Sequence, residues 1–252
     1  TLPGNAALVG GTQTFSVTMN TAGTQTVTAT DITDGGKSPN TSPSITVNAA
    51  GTIQSTTTGG LWNATGTWVG GVVPSATSNV VIATTGGNAV TINTNVTVRT
   101  LNINSGAVLQ GNGSASTFTV GKNNTLSLTN NGTFNANATT IIVATASSWD
   151  GSGSFNLFSI DLNAKALTIA FAASDTISLA APGIPITGGG SLVPGLNSAF
   201  KFNGTAAQTI PVGTYNFNSV YVSNAAGAAL SAAVTTTNIA GDLRVITGTL
   251  NN

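Results

Sequence analysis

The groups in this chain that could do acid–base or ligand chemistry are few. They are Asp31, Asp34, Asp150, Asp161, Asp175 and Asp242, with no glutamate, histidine or cysteine beside them. Without Cys or His, the familiar Zn, Fe–S and haem ligations are excluded, as are Ser–His and Cys–His catalysis. Carboxylate chemistry remains. Glycoside hydrolysis usually needs two carboxyl groups about 5–9.5 Å apart, and Asp150 and Asp161 could face each other across one coil of a repetitive fold. Isolated Asp in turns is a common structural residue, so no enzyme is expected. Asp31 and Asp34 in "DITDGG" (31–36) could hold Ca²⁺, but the spacing lacks the dense acids of a dedicated calcium loop. A polar turn and no cofactor are expected there.

Aromatic groups offer the other chemistry. "GLWNATGTWVGGVVPSATSNVVI" (60–82) places Trp62 and Trp68 close together. As a structural device they form a lid, each indole covering roughly 150–250 Å² of an otherwise exposed end. As a functional device they form a sugar-stacking platform. Large aromatics mostly serve burial, so the lid is the expected role. Trp149, in "SSWDGSGS", lies in a turn-rich stretch and is a better candidate than the pair for an exposed contact, but a packed loop anchor is the expected role.

The elements that must position these groups are read from composition and pattern. Only 5% of the 252 residues are charged, with a net charge of zero, against roughly 25% in ordinary soluble domains. Such a chain offers no basic surface for nucleic acid and no cationic face for anionic membranes. No apolar run reaches the roughly 18 residues of a spanning helix, so membrane insertion is not expected. Hydrophobic residues make up 40% and are regularly spaced, which argues against disorder. Scarce Lys and absent Glu with abundant Thr and Asn suggest an extracellular protein. With no initiator Met and no signal-peptide pattern, the chain reads as a mature segment or a piece of something longer. Asn63, Asn95 and Asn131 begin Asn-x-Ser/Thr triplets, which chance supplies in so Asn-rich a chain.

Helix signals are nearly missing, and short alternating runs of Val, Ile and Thr broken by Gly, Asn and Ser predict strands throughout. Residues 12–30 predict a hairpin turning at "NTAG", with Phe15, Val17 and Met19 on one face of its first strand. A further strand follows at 44–48. The stretch "LPGNAALVGGTQTFSVTMNTAGTQTVTATD" with "SPSITVNA" resembles the second half of a bacterial immunoglobulin-like repeat. A full sandwich of that type needs about 100 residues and seven strands, so residues 1–50 would be its C-terminal half. The resemblance implies either a fragment, which is the expected case, or strands donated by another chain.

From Asn79 onward a degenerate pattern recurs, as in "LNINSGAVLQGN" (101–112), "LSLTNNGTFNAN" (126–137), "VYVSNAAGAALSAA" (220–233) and "LRVITGTLNN" (243–252). One strand per short repeat, with Gly or Asn at corners, predicts a right-handed parallel β-helix (β-solenoid) over residues 79–252. Thr and Asn at equivalent positions of successive coils are expected to form hydrogen-bonded ladders. Like charges on adjacent coils would repel at about 4.8 Å, which accounts for small neutral residues. The final strand-like run lacks a polar cap, so the solenoid is expected to continue or to meet another subunit.

Residues 51–78 are then a linker and Trp-containing cap. Trp68, Gly70, Gly71 and Pro74 in "TWVGGVVP", followed by "NVVI", resemble the opening of β-solenoid modules in giant surface proteins of Bacteroidota. There an Asp commonly precedes the first apolar strand; here the position holds Ser78. "FNGTAAQTIPVGTYNFNSVYVSNAAG" (202–227), with Phe202, Gly204, Gln208, Ile210 and Tyr215 in order, is similar to a repeat of such proteins. "DTI" at 175–177 resembles their short O-glycosylation signal. The resemblance implies a structural protein of the bacterial cell surface: a stalk, filament or sheath with a mechanical or adhesive role. Its partners would be other copies of itself, flanking repeats of the same chain, or surface glycans. The alternative is a carbohydrate-binding adhesin domain using Trp62, Trp68 or Trp149. A polysaccharide-degrading β-helix and an ice-binding Thr array are the lesser alternatives, the latter disfavoured by uneven coil lengths.

Overall fold

The computed structural model describes residues 3–17, 19, 23–47, 51–121 and 126–252, and the chain divides into two compact units, Thr1–Thr52 and Ile53–Asn252. The fold is all-β, and the larger unit is a parallel β-solenoid of about eight turns.

The coils contribute strands to three parallel sheets, not every coil reaching all three. Among the described residues the first sheet has seven strands, beginning with Thr52–Gln54, Asn79–Ile82 and Thr100–Ile103. The second has ten, including Ala89–Ile92, Val108–Gly111, Thr133–Asn135 and Ser154–Leu157, and the third has five, among them Val96–Val98 and Ser116–Val120. Alternation in sequence becomes alternation in space, because successive side chains of a strand point to opposite faces. Val80, Leu101, Leu128, Trp149 and Ile169 therefore stack as one inward row of the first sheet. Val90, Leu109, Phe134, Phe155, Ile177 and Phe200 form the row of the second. Val96, Phe118, Ile141, Ile160 and Ile186 form that of the third. All are buried, in one continuous core. Each such side chain contributes about 1.5–3 kcal/mol relative to exposure.

Coil length varies, as the uneven repeats predict. Hydrogen-bonded residues on neighbouring coils are separated by 19 positions for Thr140 and Ser159 but by 26 for Asn137 and Gly111. Corners absorb the difference. Asn137 and Asn163 turn with φ of 51° and 48°, a conformation Asn tolerates better than most residues. Gly151 turns at φ 131°, and a Cβ there would lie 2.0 Å from the carbonyl oxygen of Asn130.

The expected polar ladders are present on the outer faces. Asn156 Nδ2 donates to Asn135 Oδ1 at 2.8 Å, Gln110 Nε2 to Thr91 Oγ1 at 3.2 Å, and Thr100 Oγ1 to Asn79 Oδ1 at 3.0 Å. The outermost strand, Leu243–Asn251, pairs with Ser219–Leu230 and leaves Leu243, Val245 and Ile246 exposed.

The smaller unit departs from expectation. Residues 13–17 form no strand, Phe15 is 43% exposed, and residues 20–22 of the expected turn lie outside the described residues. Gly23–Gln25 instead pairs antiparallel with Ile45–Val47, and Thr28–Ala29 with Asn40–Thr41. Between these pairs Val27 exchanges hydrogen bonds with Ser42. Among the described residues this is a two-stranded ribbon, and no second sheet faces it to make a sandwich. The ribbon forms because "DITDGG" is a tight turn that folds the chain back. Asp31 Oδ1 accepts from Thr33 N, Thr33 Oγ1 and Asp34 N, and Asp34 Oδ1 accepts from Gly36 N.

Candidate functional site

The tryptophan segment belongs to the first coil and is more than a linker. Thr52–Gln54 joins the first sheet, and Gly60–Leu61 pairs in the second with Val90 and Thr91. The chain then doubles back, so that Trp68 bridges Ser55 antiparallel and Val69 N donates to Gln54 O at 2.9 Å. Both indoles turn inward and are 2% exposed. Their ring centroids lie 4.8 Å apart in an edge-to-face arrangement, and Trp68 Nε1 donates to the carbonyl of Trp62 at 2.8 Å. Trp62 also meets Phe118 edge-on at 5.4 Å, and Phe118 meets Phe134 at 6.0 Å. Neither indole offers a face to a sugar.

The rest of the motif shapes the return. Gly70 and Gly71 take positive φ of 84° and 70°, and Gly71 N donates to the carbonyl of Trp68. Pro74 is half-buried ahead of Ser78, whose hydroxyl accepts from Ser75 N at 3.0 Å. The Ser78 hydroxyl, with its own N–H bonded to the Ser75 carbonyl, closes the turn at 75–78.

Trp149 is packed and not an exposed contact, as expected, but its anchor is a strand and not a loop. It lies within the strand Ser147–Asp150 and is fully buried, stacked between Leu128 and Ile169. The turn signals around it come from corner glycines just beyond the strand. Asp150 and Asp161 do not oppose one another: Asp150 pairs with Thr129 in the first sheet, Asp161 with Ile142 and Thr187 in the third. Among the described residues no three carboxylates gather into a metal-binding group. Burial pushes the Asp175 carboxyl above its usual range against the opposing hydrogen bond from Thr176 N. Its Oδ2 is buried without a partner. The Thr33 hydroxyl, with the backbone N–H groups of Thr33 and Asp34, holds Asp31 below its usual value.

Asn95 and Asn131 spend their side-chain oxygens on the next coil, Asn95 accepting from Thr117 N and Asn131 from Ser152 N. Asn63 accepts from Asn93 Nδ2. The outer row of the third sheet reads Thr97, Thr119, Ile142, Asp161 and Thr187, so a Thr array is interrupted twice. Gln208 and Asn224 explain the late repeat. Gln208 Nε2 donates to the carbonyls of Leu179 and Ala181, and its Oε1 accepts from Gly204 N and Asn224 Nδ2. This buried amide brace ties three coils together with every group satisfied.

One concave feature was missed in the sequence. A shallow groove beside the second sheet is lined by Asn135, Asn137, Asn156, Leu157, Ala180 and Asn203. Asn is so abundant that single residues carried no signal, yet "TFN" at 133–135 and "SFN" at 154–156 repeat the same Phe-Asn pair in register. No protein-family model, curated protein or solved structure matches the chain.

Proposed function

We propose that this chain is a structural extracellular protein, part of a stalk, filament or sheath on a bacterial surface with a mechanical or adhesive role. One observation carries the reading: an unbroken core runs through parallel coils whose outer faces bear almost no charge. Such an architecture spans distance by repetition, each coil burying its face on its neighbours. Its crossovers are taken as right-handed, the hand that parallel connections almost always adopt. The Trp62–Trp68 pair, with Gly70, Gly71 and Pro74 shaping the return, serves as the lid of the first coil. Residues 1–50 are read as part of an immunoglobulin-like module. The partners that suit the exposed Leu243, Val245 and Ile246 are further coils of the same kind, from flanking repeats or another copy. A catalytic role draws no support from aspartates dispersed over separate sheets.

Immunogold electron microscopy of the producing cells, with antibody raised against residues 53–252, tests this reading. Label along material projecting from the outer surface is the expected result. Label confined to the cell interior overturns it. Mass spectrometry of the natively purified chain then separates a filament of 24.8 kDa subunits from one segment of a much larger stalk.

A further inference from the structure

Glycine follows asparagine three times in the chain, at Asn112–Gly113, Asn131–Gly132 and Asn203–Gly204. This pairing has a chemistry of its own. The backbone nitrogen of the second residue can attack the asparagine Cγ, and glycine, with no Cβ, hinders that attack least. The attack requires a nitrogen that solvent base can deprotonate and room for the ring that closes. Two of the pairs are denied both. Gly132 N donates to Asn130 Oδ1 at 3.1 Å. A Cβ on Gly132 would lie 2.3 Å from the Ala107 carbonyl oxygen, so its backbone is pressed against the preceding coil. Gly204 N donates to Gln208 Oε1 at 2.9 Å within the buried amide brace, and Asn203 Oδ1 is itself enclosed. A nitrogen held in this way reacts only when its coil opens locally.

Asn112–Gly113 differs at each point. Both residues are exposed, at the corner that follows the strand Val108–Gly111. Among the described residues Gly113 N has no hydrogen-bond partner, and nothing lies within 4 Å of its Cβ position. Asn112 Oδ1 accepts from Ser114 N at 3.0 Å. That bond curls the side chain back over the Gly113 peptide, as in other Asx turns. It also draws charge from Cγ and supports the negative charge that grows on Oδ1 during attack. Asn112 N donates to the Ile92 carbonyl at 3.1 Å, anchoring the residue to the preceding coil without engaging a reacting atom. We infer that Asn112 is a self-modification site, deamidating through a succinimide closed by Gly113 N ahead of the other two asparagine–glycine pairs. Base removes the Gly113 amide proton and the nitrogen bonds to Cγ. The Cγ–Nδ2 bond then breaks, and the leaving nitrogen takes a proton from water and departs as ammonia. Water opens the ring at either carbonyl, giving aspartate or, with the chain rerouted through the side-chain carboxyl, isoaspartate. The product adds a negative charge to a chain whose net charge is zero. The inference does not depend on the stalk reading.

The test is incubation of the folded full chain in mildly alkaline buffer, with peptide mapping by mass spectrometry over time and isoaspartate-specific methylation of the products. Replacement of NH₂ by OH should accumulate at position 112 at least about tenfold faster than at 131 or 203, because only the latter two wait on local opening. Isoaspartate should be among the products at position 112. The chain held unfolded in denaturant should lose the preference, since all three pairs are then open. Asn112→Ser removes the amide while keeping an oxygen for Ser114 N, and should abolish the first acidic species seen by isoelectric focusing with the fold intact. Four outcomes overturn the inference. They are a rate at position 112 no greater than at 131 or 203 in the folded chain, aspartate there without isoaspartate, undiminished early acidic species from Asn112→Ser, and an unchanged preference in denaturant.

Discussion

The ribbon of the smaller unit and the coils of the solenoid are written in the same residues, yet only one of them builds a core. Ile45, in a ribbon strand, is exposed; Ile141, in a coil strand, is fully buried. Phe15 lies outside any strand and exposed, while Phe155 is enclosed and meets Phe171 at 5.4 Å. Composition and alternation are alike at these positions. What differs is the number of neighbours. Phe155 is stacked between Phe134 and Ile177 on adjacent coils, with two other sheets across the interior. Among the described residues a ribbon strand has one partner, and Ile45 on it stays exposed. Repetition in register, more than local strand preference, converts a Thr-rich chain into a packed one.

The contrast breaks first if aromatic truncations cost the same in both units. Trp62→Ala or Phe155→Ala should destabilise the solenoid by about 3–5 kcal/mol, the usual cost of removing a large buried aromatic. Phe15→Ala should change it by no more than about 0.5 kcal/mol, as for exposed positions in general. Denaturant unfolding followed by tryptophan fluorescence reads the solenoid directly, since Trp149 is buried in its core and serves as the probe in Trp62→Ala. Equal midpoints for Phe15→Ala and Phe155→Ala would remove the distinction between ribbon and coil.

Corner glycines come next in size. Gly151→Ala places a methyl group against the Asn130 carbonyl at a φ that L-residues rarely adopt. The backbone term alone is about 1–3 kcal/mol, and the neighbouring coil must shift as well. Gly35, in the "DITDGG" turn, has nothing within 4 Å of its Cβ position and no positive φ, so Gly35→Ala should be nearly silent in thermal melts. The outer ladders are smaller still. Asn156→Ala removes one rung, worth about 0.2–1 kcal/mol for a cross-strand pair, and should lower the midpoint slightly without altering the cooperativity of the transition.

Inward alternation is legible in the sequence wherever a Val, Ile, Leu or Phe recurs every second residue. The period of two by itself sets Leu101 and Ile103, or Val220 and Val222, on the core face. The corners are legible too, because Gly and Asn are the residues that accept positive φ. Partner choice is harder. The strand at 24–30 could pair with 12–19 or with 40–47, and what decides is the side-chain closure of the Asp31–Gly36 turn together with the Val27–Ser42 bonds, neither visible to periodicity. Trp149 reads as a loop anchor and not a strand residue because "DGSGS" follows it at once. In a solenoid a corner begins one residue after a buried strand, so turn signals crowd against core positions. The asparagine groove is hidden for another reason. Its residues come from four successive coils, and only the register sets Asn135 beside Asn156 and leads on past Ala180 to Asn203.

The smallest expected effect sets the two units against each other through pH. Asp175, in the solenoid, has a folded pKa raised above the ordinary 3.8, chiefly by burial. The folded state then holds its proton more tightly than the unfolded chain does. Its contribution is therefore most favourable at low pH and declines as pH rises from the unfolded value through the folded one. Asp175→Asn should raise the melting temperature at about pH 7, and the gain should vanish by about pH 3, where the parent carboxyl is already neutral. Asp31, in the ribbon, has the opposite sign, because hydrogen bonds led by that of the Thr33 hydroxyl favour its charged form. Its contribution is present above the unfolded pKa and is lost as pH falls through the folded one. Amide exchange at Thr33 and Asp34 should accordingly lose protection on acidification beyond the intrinsic pH dependence of exchange, while solenoid amides beside Asp175 should not. Parallel loss in both regions would mean that one acid transition governs the whole chain, and that the two units do not respond to protonation separately.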